Sequence, residues 1–316
     1  EQIASSLHDY IIRQIIRRIM LRIGRGEEYL LTSSDVWRIK TLQESGYLLE
    51  DITAEIAKYT KRQKKEIKAA MEEAGIKALE ADNKVYQAAG LSPEPLAQSP
   101  ALIRLMERNM LATVNEWTNY TRTTARVAQV LYIAECDIAY NKVMTGAVSY
   151  TQAVREAVDT IVKDGVVVRY PTGHKDTIET ATARAVRTGI AQATGDICLK
   201  RMEEMDWDIV LVSAHVGART GDGGQNPGNH AWWQGQYFSR TGKDKRFPDF
   251  KESTGYGTIE GLCGVNCRHS FGSGTGEAKD NPYKELMTAD NYRVEQAEKR
   301  QRELERRIRK TKRAVM

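Results

Sequence analysis

The stretch on which the reading of this chain turns opens Val212-Ser-Ala-His215-Val-Gly-Ala-Arg219 and passes a glycine-rich gap. It continues His230-Ala-Trp-Trp233-Gln-Gly-Gln-Tyr-Phe-Ser239 and closes Gly261-Leu-Cys263-Gly-Val-Asn266-Cys267-Arg268-His269-Ser-Phe271. It holds three of the five histidines, two of the four cysteines and two of the five tryptophans of a 316-residue chain. Most of what lies outside it has the spacing of plain amphipathic helix. The residues able to do specific chemistry are therefore concentrated in one irregular module.

Around this module the pattern alternates between strand and helix. Val166 to Tyr170 is a β-branched run bounded by Gly165 and Pro171, which predicts a strand, with a turn at Pro171-Thr-Gly173. A helix is expected from Thr177 to Met205, with Arg184 and Arg187 three apart on one face. Trp207 to Ala214 predicts a second strand that delivers His215 and Arg219 to the loop behind it. Gly221 to Gly228 reads as a flexible, insertion-like loop, and Gly272 to Gly276 as the end of the domain.

Two thiols four apart in a glycine-containing turn, with His269 two further on, are compatible with chelation of a structural zinc by Cys263, Cys267 and His269. His215 or His230 would complete the set. The spacing is not the two-residue gap of common zinc turns, and no second Cys pair is present. The competing reading is that these side chains are buried and hydrogen-bonded, tying an irregular domain together. A Cys263–Cys267 disulfide is a third reading, disfavoured in a reducing compartment. Histidines, Arg219, Asp222 and a thiol are also the residue types of hydrolysis. However, the sequence has no HExxH, no GxSxG, no phosphate loop and no carboxylates paired with the histidines. Trp232 and Trp233 read as packing under a turn.

Upstream, Ile3, Leu7, Ile11, Ile15, Ile19 and Ile23 predict a helix whose other side, Arg13, Arg17, Arg18, Arg22 and Arg25, is a basic face, either solvated or in contact with an acidic partner or DNA phosphates. Gly24 and Gly26 end it. Thr32, Ser33, Ser34 and Asp35 supply N-cap chemistry for a short helix through Leu42, broken near Gly46. A longer one is expected from Glu50 to Ala89. Pro93, Pro95 and Pro100 make residues 90–100 a hinge. From Ala101 to Lys142 a stripe from Leu102 through Trp117 to Ile138 predicts one long rod, with Cys136 as core filler, and Tyr150 to Val162 a shorter helix.

Downstream, a helix from about Ala289 carries an imperfect heptad seam. Between Lys299 and Arg313 it holds nine basic residues (Lys299, Arg300, Arg302, Arg306, Arg307, Arg309, Lys310, Lys312 and Arg313) against Glu303 and Glu305. Such a run is either a polyanion- or DNA-binding face or a solvated coil. The net charge of +5 and the 28% of charged residues fit extended, well-solvated helices. No window reaches the roughly 18 apolar residues of a membrane helix, and no secretory pattern opens the chain. The chain starts at Glu1 without an initiator Met, which leaves room for residues beyond either end.

The motifs Val212 to Arg219, Trp233 to Ser239, Thr254-Gly-Tyr-Gly-Thr258 and Leu262 to Phe271, with the Ala183 to Gly189 helix, resemble minor capsid proteins of tailed phages infecting Gram-positive bacteria. The order of Arg helix, His loop and Asn-Cys-Arg turn is similar to the head-morphogenesis domain of the phage Mu F type. In that resemblance the family positions are His215, Arg219, Trp233, Gln234, Gly235, Cys263, Asn266, Cys267 and Arg268. It implies a virion component without established enzymatic activity, assembled in the host cytoplasm. Such a component sits in few copies at the portal vertex inside the head, touches the portal ring, the major capsid protein and packaged double-stranded DNA, and assists assembly, packaging or delivery. A metal-dependent hydrolase or nuclease, or a toxin-like effector carried in the head, is the alternative. The expected architecture is α+β and predominantly α-helical. A helical, portal-docking arm (1–150, hinge near 90–100) precedes a small Cys/His-tied α+β domain (151–276) and a basic C-terminal helix (277–316).

Overall fold

The computed structural model describes residues 2–23, 34–170, 172–283, 286 and 290–315. Helix covers 68% of it, in eight helices among the described residues, with small antiparallel sheets, so the chain is α+β and predominantly helical. It divides into two compact units. The first comprises Glu1–Lys65, Asn115–Ala183 and Glu305–Met316; the second comprises Glu66–Val114 and Arg184–Leu304. The residues expected to end the first helix or cap the second (Gly24, Arg25, Gly26, Thr32, Ser33), along with Pro171 and Ala289, lie outside the described residues.

In the first unit, α1 (Gln2–Ile23) buries Leu7, Ile11, Ile15 and Ile19, one per turn. It packs on α4 (Tyr150–Asp164). Arg22 does not belong to a solvated face: its side chain is 1% exposed. The guanidinium donates to the Trp37 carbonyl at 2.7 Å and lies 4.2 Å from the centre of the Trp37 ring, which itself stacks on Tyr140. The aromatic face and the carbonyl replace the water that this cation gives up.

The break expected near Gly46 is absent, because α2 runs unbroken over Ser34–Ala88. A helix-interior glycine costs only about 1 kcal/mol. Trp37, Thr41, Ser45, Leu48 and Ile52, at spacings of three and four, are buried on both sides of it, so one continuous packed stripe outweighs the local preference. Helix α3 (Pro100–Met144) is the expected rod, and Trp117 and Cys136 are core residues. Past Thr124 its buried positions are Ala125, Ala128, Tyr132, Glu135, Cys136, Ala139 and Tyr140, while Ile138 is exposed. A two-stranded hairpin follows, β1 (Val167–Arg169) with β2 (Lys175–Thr177), closed by Gly173 at φ +82°. Strand β2 has no apolar alternation to announce it, and its last residue, Thr177, is where the spacing predicts a helix to start. Helix α5 begins one residue later, at Ile178.

In the second unit, α2 ends in a Schellman cap: Gly90 N–H donates to the Gln87 carbonyl and Leu91 N–H to the Tyr86 carbonyl. The 90–100 segment contains a 3-10 turn (Leu96–Gln98) before Pro100 opens α3. Helix α5 (Ile178–Glu204) lies against α3 so closely that a Cβ at Gly189 would meet Thr113 Oγ1 at 2.1 Å. A three-stranded antiparallel sheet, ordered β4-β3-β5, is built from β3 (Ile209–Val212), β4 (Tyr237–Ser239) and β5 (Phe271–Ser273). Two short helices, α6 (His230–Trp233) and α7 (Phe250–Thr254), sit in its loops. Val210, Val212, Trp233, Phe238, Phe250 and Phe271 form its core with Cys198, Cys263 and Cys267. Helix α8 (Asn291–Ala314) closes the chain.

Candidate functional site: a buried imidazole and thiol cluster

Each strand of the sheet hands one part of the cluster to a loop. Beyond β3 the chain turns through His215 to Arg219. Asn291, at the start of α8, holds this loop: its Oδ1 accepts the Gly217 and Ala218 N–H groups at 2.9 and 2.8 Å, and its Nδ2 donates back to the Ala218 carbonyl. The 221–228 loop, expected to be flexible, carries its own hydrogen bonds, with Asp222 Oδ1 accepting from Asn226 and from Gly224 N–H. Asn229 caps α6 by accepting from Trp232 N–H, which fixes His230 and buries Trp233, whose Nε1 donates to the Pro227 carbonyl.

The Cys turn packs backbone against backbone. A Cβ at Gly264 would meet the Ile259 carbonyl oxygen at 2.4 Å, so only glycine fits there. Cys263 and Asn266 both adopt φ +59°, and the exposed Asn266 therefore serves the turn through its backbone. Arg268 leaves the cluster, and its Nη1 donates to both carboxylate oxygens of Glu298 of α8, at 2.9 and 2.8 Å.

At the centre are three imidazoles. The ring of His269 lies 4.4 Å from that of His215, 5.3 Å from that of His230 and 4.9 Å from that of Trp233. Gln234 Oε1 accepts both the His215 backbone N–H and His269 Nε2–H, each at 3.0 Å. His269 Nδ1 faces the Cys267 thiol at 3.7 Å. His230 Nε2 lies 2.9 Å from the Glu260 carbonyl oxygen, to which Arg219 also donates.

Burial holds His269 down to about 2 and His230 to about 4, with neighbouring positive charge from Arg219 and the other imidazoles adding to it. Burial pushes the thiols of Cys263 and Cys267 above the usual range. All four cysteines are free, and no disulfide joins Cys263 to Cys267. Buried thiols with raised pKa are poor nucleophiles. Among the described residues no carboxylate is hydrogen-bonded to any of the three rings.

Spacing in the sequence suggests a metal set of Cys263, Cys267 and His269 completed by His215 or His230. Of these, ligand atoms of His230, Cys267 and His269 lie within 4.8 Å of one another, all three residues buried. Cys263 and Cys267 both belong to the apolar core, each thiol 3.9 Å from the His269 carbonyl, and of the two only Cys267 has its sulfur in the trio. Asn291, Glu295 and Glu298, which bind the loops of the cluster, have no signal in the sequence because they lie on a helix whose charge pattern reads as solvated surface.

The basic helix is already partly engaged. Lys299 pairs with Glu295, Arg300 with Glu303 and Arg302 with Glu298. Arg313 is 11% exposed and pairs with Asp9 and Glu179 in the first unit, and Arg307 and Arg309 also have partners. Arg306, Lys310 and Lys312 are exposed, without an ion-pair partner among the described residues. No described helix is long and apolar enough to cross a membrane.

The chain is predominantly helical, with one irregular module whose imidazoles pack against Trp233 and Gln234 and border a cavity of about 190 Å³. Its sequence matches the family of phage minor capsid protein 2 over residues 2–316, and the chain belongs to that family. It is 25% identical over 303 residues to a "Structural protein" of Lactococcus phage LL-H, a match covering 87% of this chain and 76% of that one. No solved structure matches.

Proposed function

We propose that the protein sits at the portal vertex, on the inner side of the phage head, in several copies around the portal ring, and assists head assembly and DNA packaging or delivery. Family membership over residues 2–316 supports a phage structural role. The observation that carries the docking half of the reading is apolar exposure where α1 ends and α2 begins. Met20, Leu21, Ile39, Leu42 and Tyr47 are 50–60% exposed, which a chain without a partner has little reason to keep. These residues are the proposed contact with the portal. The solvent-facing Arg306, Lys310 and Lys312 are the proposed contact with packaged DNA.

The test is co-purification with assembled portal rings. The wild-type chain is retained on them, and Ile39→Asp combined with Leu42→Asp, folded by circular dichroism, is not. A chain that ignores portal rings and coats the shell evenly contradicts the reading.

A further inference from the structure

We propose that the second unit binds one transition-metal ion, zinc by its ligand chemistry, through Cys267, His269 and His230, with His215 as the fourth ligand. The donor atoms are spaced for it. Zinc bonds of about 2.3 Å to sulfur and about 2.0–2.1 Å to nitrogen, at tetrahedral angles, place S and N roughly 3.6 Å apart. Cys267 Sγ and His269 Nδ1 lie 3.7 Å apart, and the His230 donor lies within 4.8 Å of both.

The outer hydrogen bonds orient two of the three rings, His269 and His215, for an ion, while His230 Nε2 lies beside both the Glu260 carbonyl and the Arg219 guanidinium. The His215 backbone N–H can only donate, so the Gln234 atom it meets is the carbonyl oxygen, and the same oxygen takes the proton of His269 Nε2. His269 is thereby held with its lone pair on Nδ1, the nitrogen that faces the thiol. His215 Nδ1 lies 3.1 Å from the Val216 carbonyl, which can only accept, so the lone pair of that ring is on Nε2. One ring N–H tied to an oxygen, with the other nitrogen left for an ion, is how proteins orient metal-binding imidazoles.

On binding, the Cys267 S–H bond gives its proton to solvent as the S–Zn bond forms, and the thiolate offsets part of the ion's charge. The cavity of about 190 Å³ that His215, His230 and His269 line also holds Glu295 and Glu298. Each is already paired with a cation (Lys299 for Glu295, Arg268 and Arg302 for Glu298), so the Cys267 thiolate is the anion the site itself supplies. An ion here would tie together loops whose regular elements are only three to five residues long. Gln234 is a positioning residue in this arrangement.

The experiment uses the full chain, stripped with a chelator under reducing conditions and reloaded with Zn²⁺ or Co²⁺ alone. We expect one equivalent per chain by elemental analysis, a higher Tm with Zn²⁺, and a thiolate-to-cobalt charge-transfer band with Co²⁺. Cys263→Ser keeps the band. Cys267→Ser loses it. Gln234→Ala keeps the stoichiometry but weakens affinity about 10–100-fold. A folded wild-type chain that takes up no metal overturns the proposal whether or not the variants fold. So does loss of the band in Cys263→Ser with the fold retained.

Discussion

Asp82, in the second half of α2, accepts the backbone N–H of Ser273 at 2.8 Å, joining residues 191 positions apart. Tyr86, one turn on, accepts from the Ser273 hydroxyl through its phenol oxygen, at 2.6 Å. The edge strand β5 is thus fixed to a helix, and the Cys turn immediately before it inherits that anchor. A Cβ at Gly272 would meet Asp82 Oδ1 at 2.4 Å, so the carboxylate reaches the strand through a gap only glycine leaves.

Burial pushes the Asp82 carboxyl up to about 6 from its usual 3.8, against hydrogen bonds that pull it down. The native chain then keeps a proton that the unfolded chain releases. The stability this contributes is complete below about pH 4 and is lost as pH rises through 6. It amounts to at most about 3 kcal/mol. Asp82→Asn keeps the acceptor for Ser273 and removes the titration. Urea midpoints between pH 4 and pH 8 should therefore slope downward in wild type and flatten in the variant.

Glu179 behaves oppositely. Burial alone would raise its carboxyl, but the His8 ring, 2.5 Å away, and Arg313 bring it down to about 2. This stability is present above the usual 4.5 and lost as pH falls towards 2. Glu179→Ala leaves His8 and Arg313 without their buried partner and should cost about 3–5 kcal/mol. Arg313→Ala should cost less, and a double-mutant cycle should return a coupling clearly above 0.5 kcal/mol. Additive losses by denaturant unfolding would show that the pair does not interact.

Two glycines should respond with opposite signs. Gly189→Ala forces a methyl onto Thr113 and should destabilise by about 1–3 kcal/mol. Gly46→Ala meets nothing within 4 Å inside a continuous helix and should stabilise by up to about 1 kcal/mol. Paired thermal melts decide both.

If the solvent-facing cations of α8 touch DNA, replacing Arg306, Lys310 and Lys312 by Gln should flatten the plot of log affinity against log salt. The slope should fall by about 0.9 for each phosphate no longer neutralised. The same change at Lys299, Arg300 and Arg302, each engaged with a glutamate, should flatten it less. Filter binding over a salt series reads both.

The long helices are legible in the sequence because a period of 3.6 over dozens of residues has no competing explanation. Gly46 misleads because a local propensity of about 1 kcal/mol is set against packing that only the folded chain reveals. Arg22 misleads because a cation at helical spacing reads as surface until an aromatic ring is known to cover it. The cluster itself is visible in composition, as His215, His269, Cys263 and Cys267 in one stretch. Its geometry is not: spacing alone pairs Cys263 with Cys267 and leaves His215 and His230 as equal candidates, while the fold brings the donor atoms of Cys267, His269 and His230 together. Asp82 and Glu295 carry no sequence signal, since a helical carboxylate looks the same whether it meets water or a distant strand.

The most direct test of the central claim, a portal-bound structural protein, is an asymmetric reconstruction of the phage head at the portal vertex. Density for α1 and α2 is expected against the portal ring, with Ile39 and Leu42 in the contact and the His/Cys module intact. Absence of the chain from the vertex, with copies spread over the shell or found only outside the head, would contradict that claim.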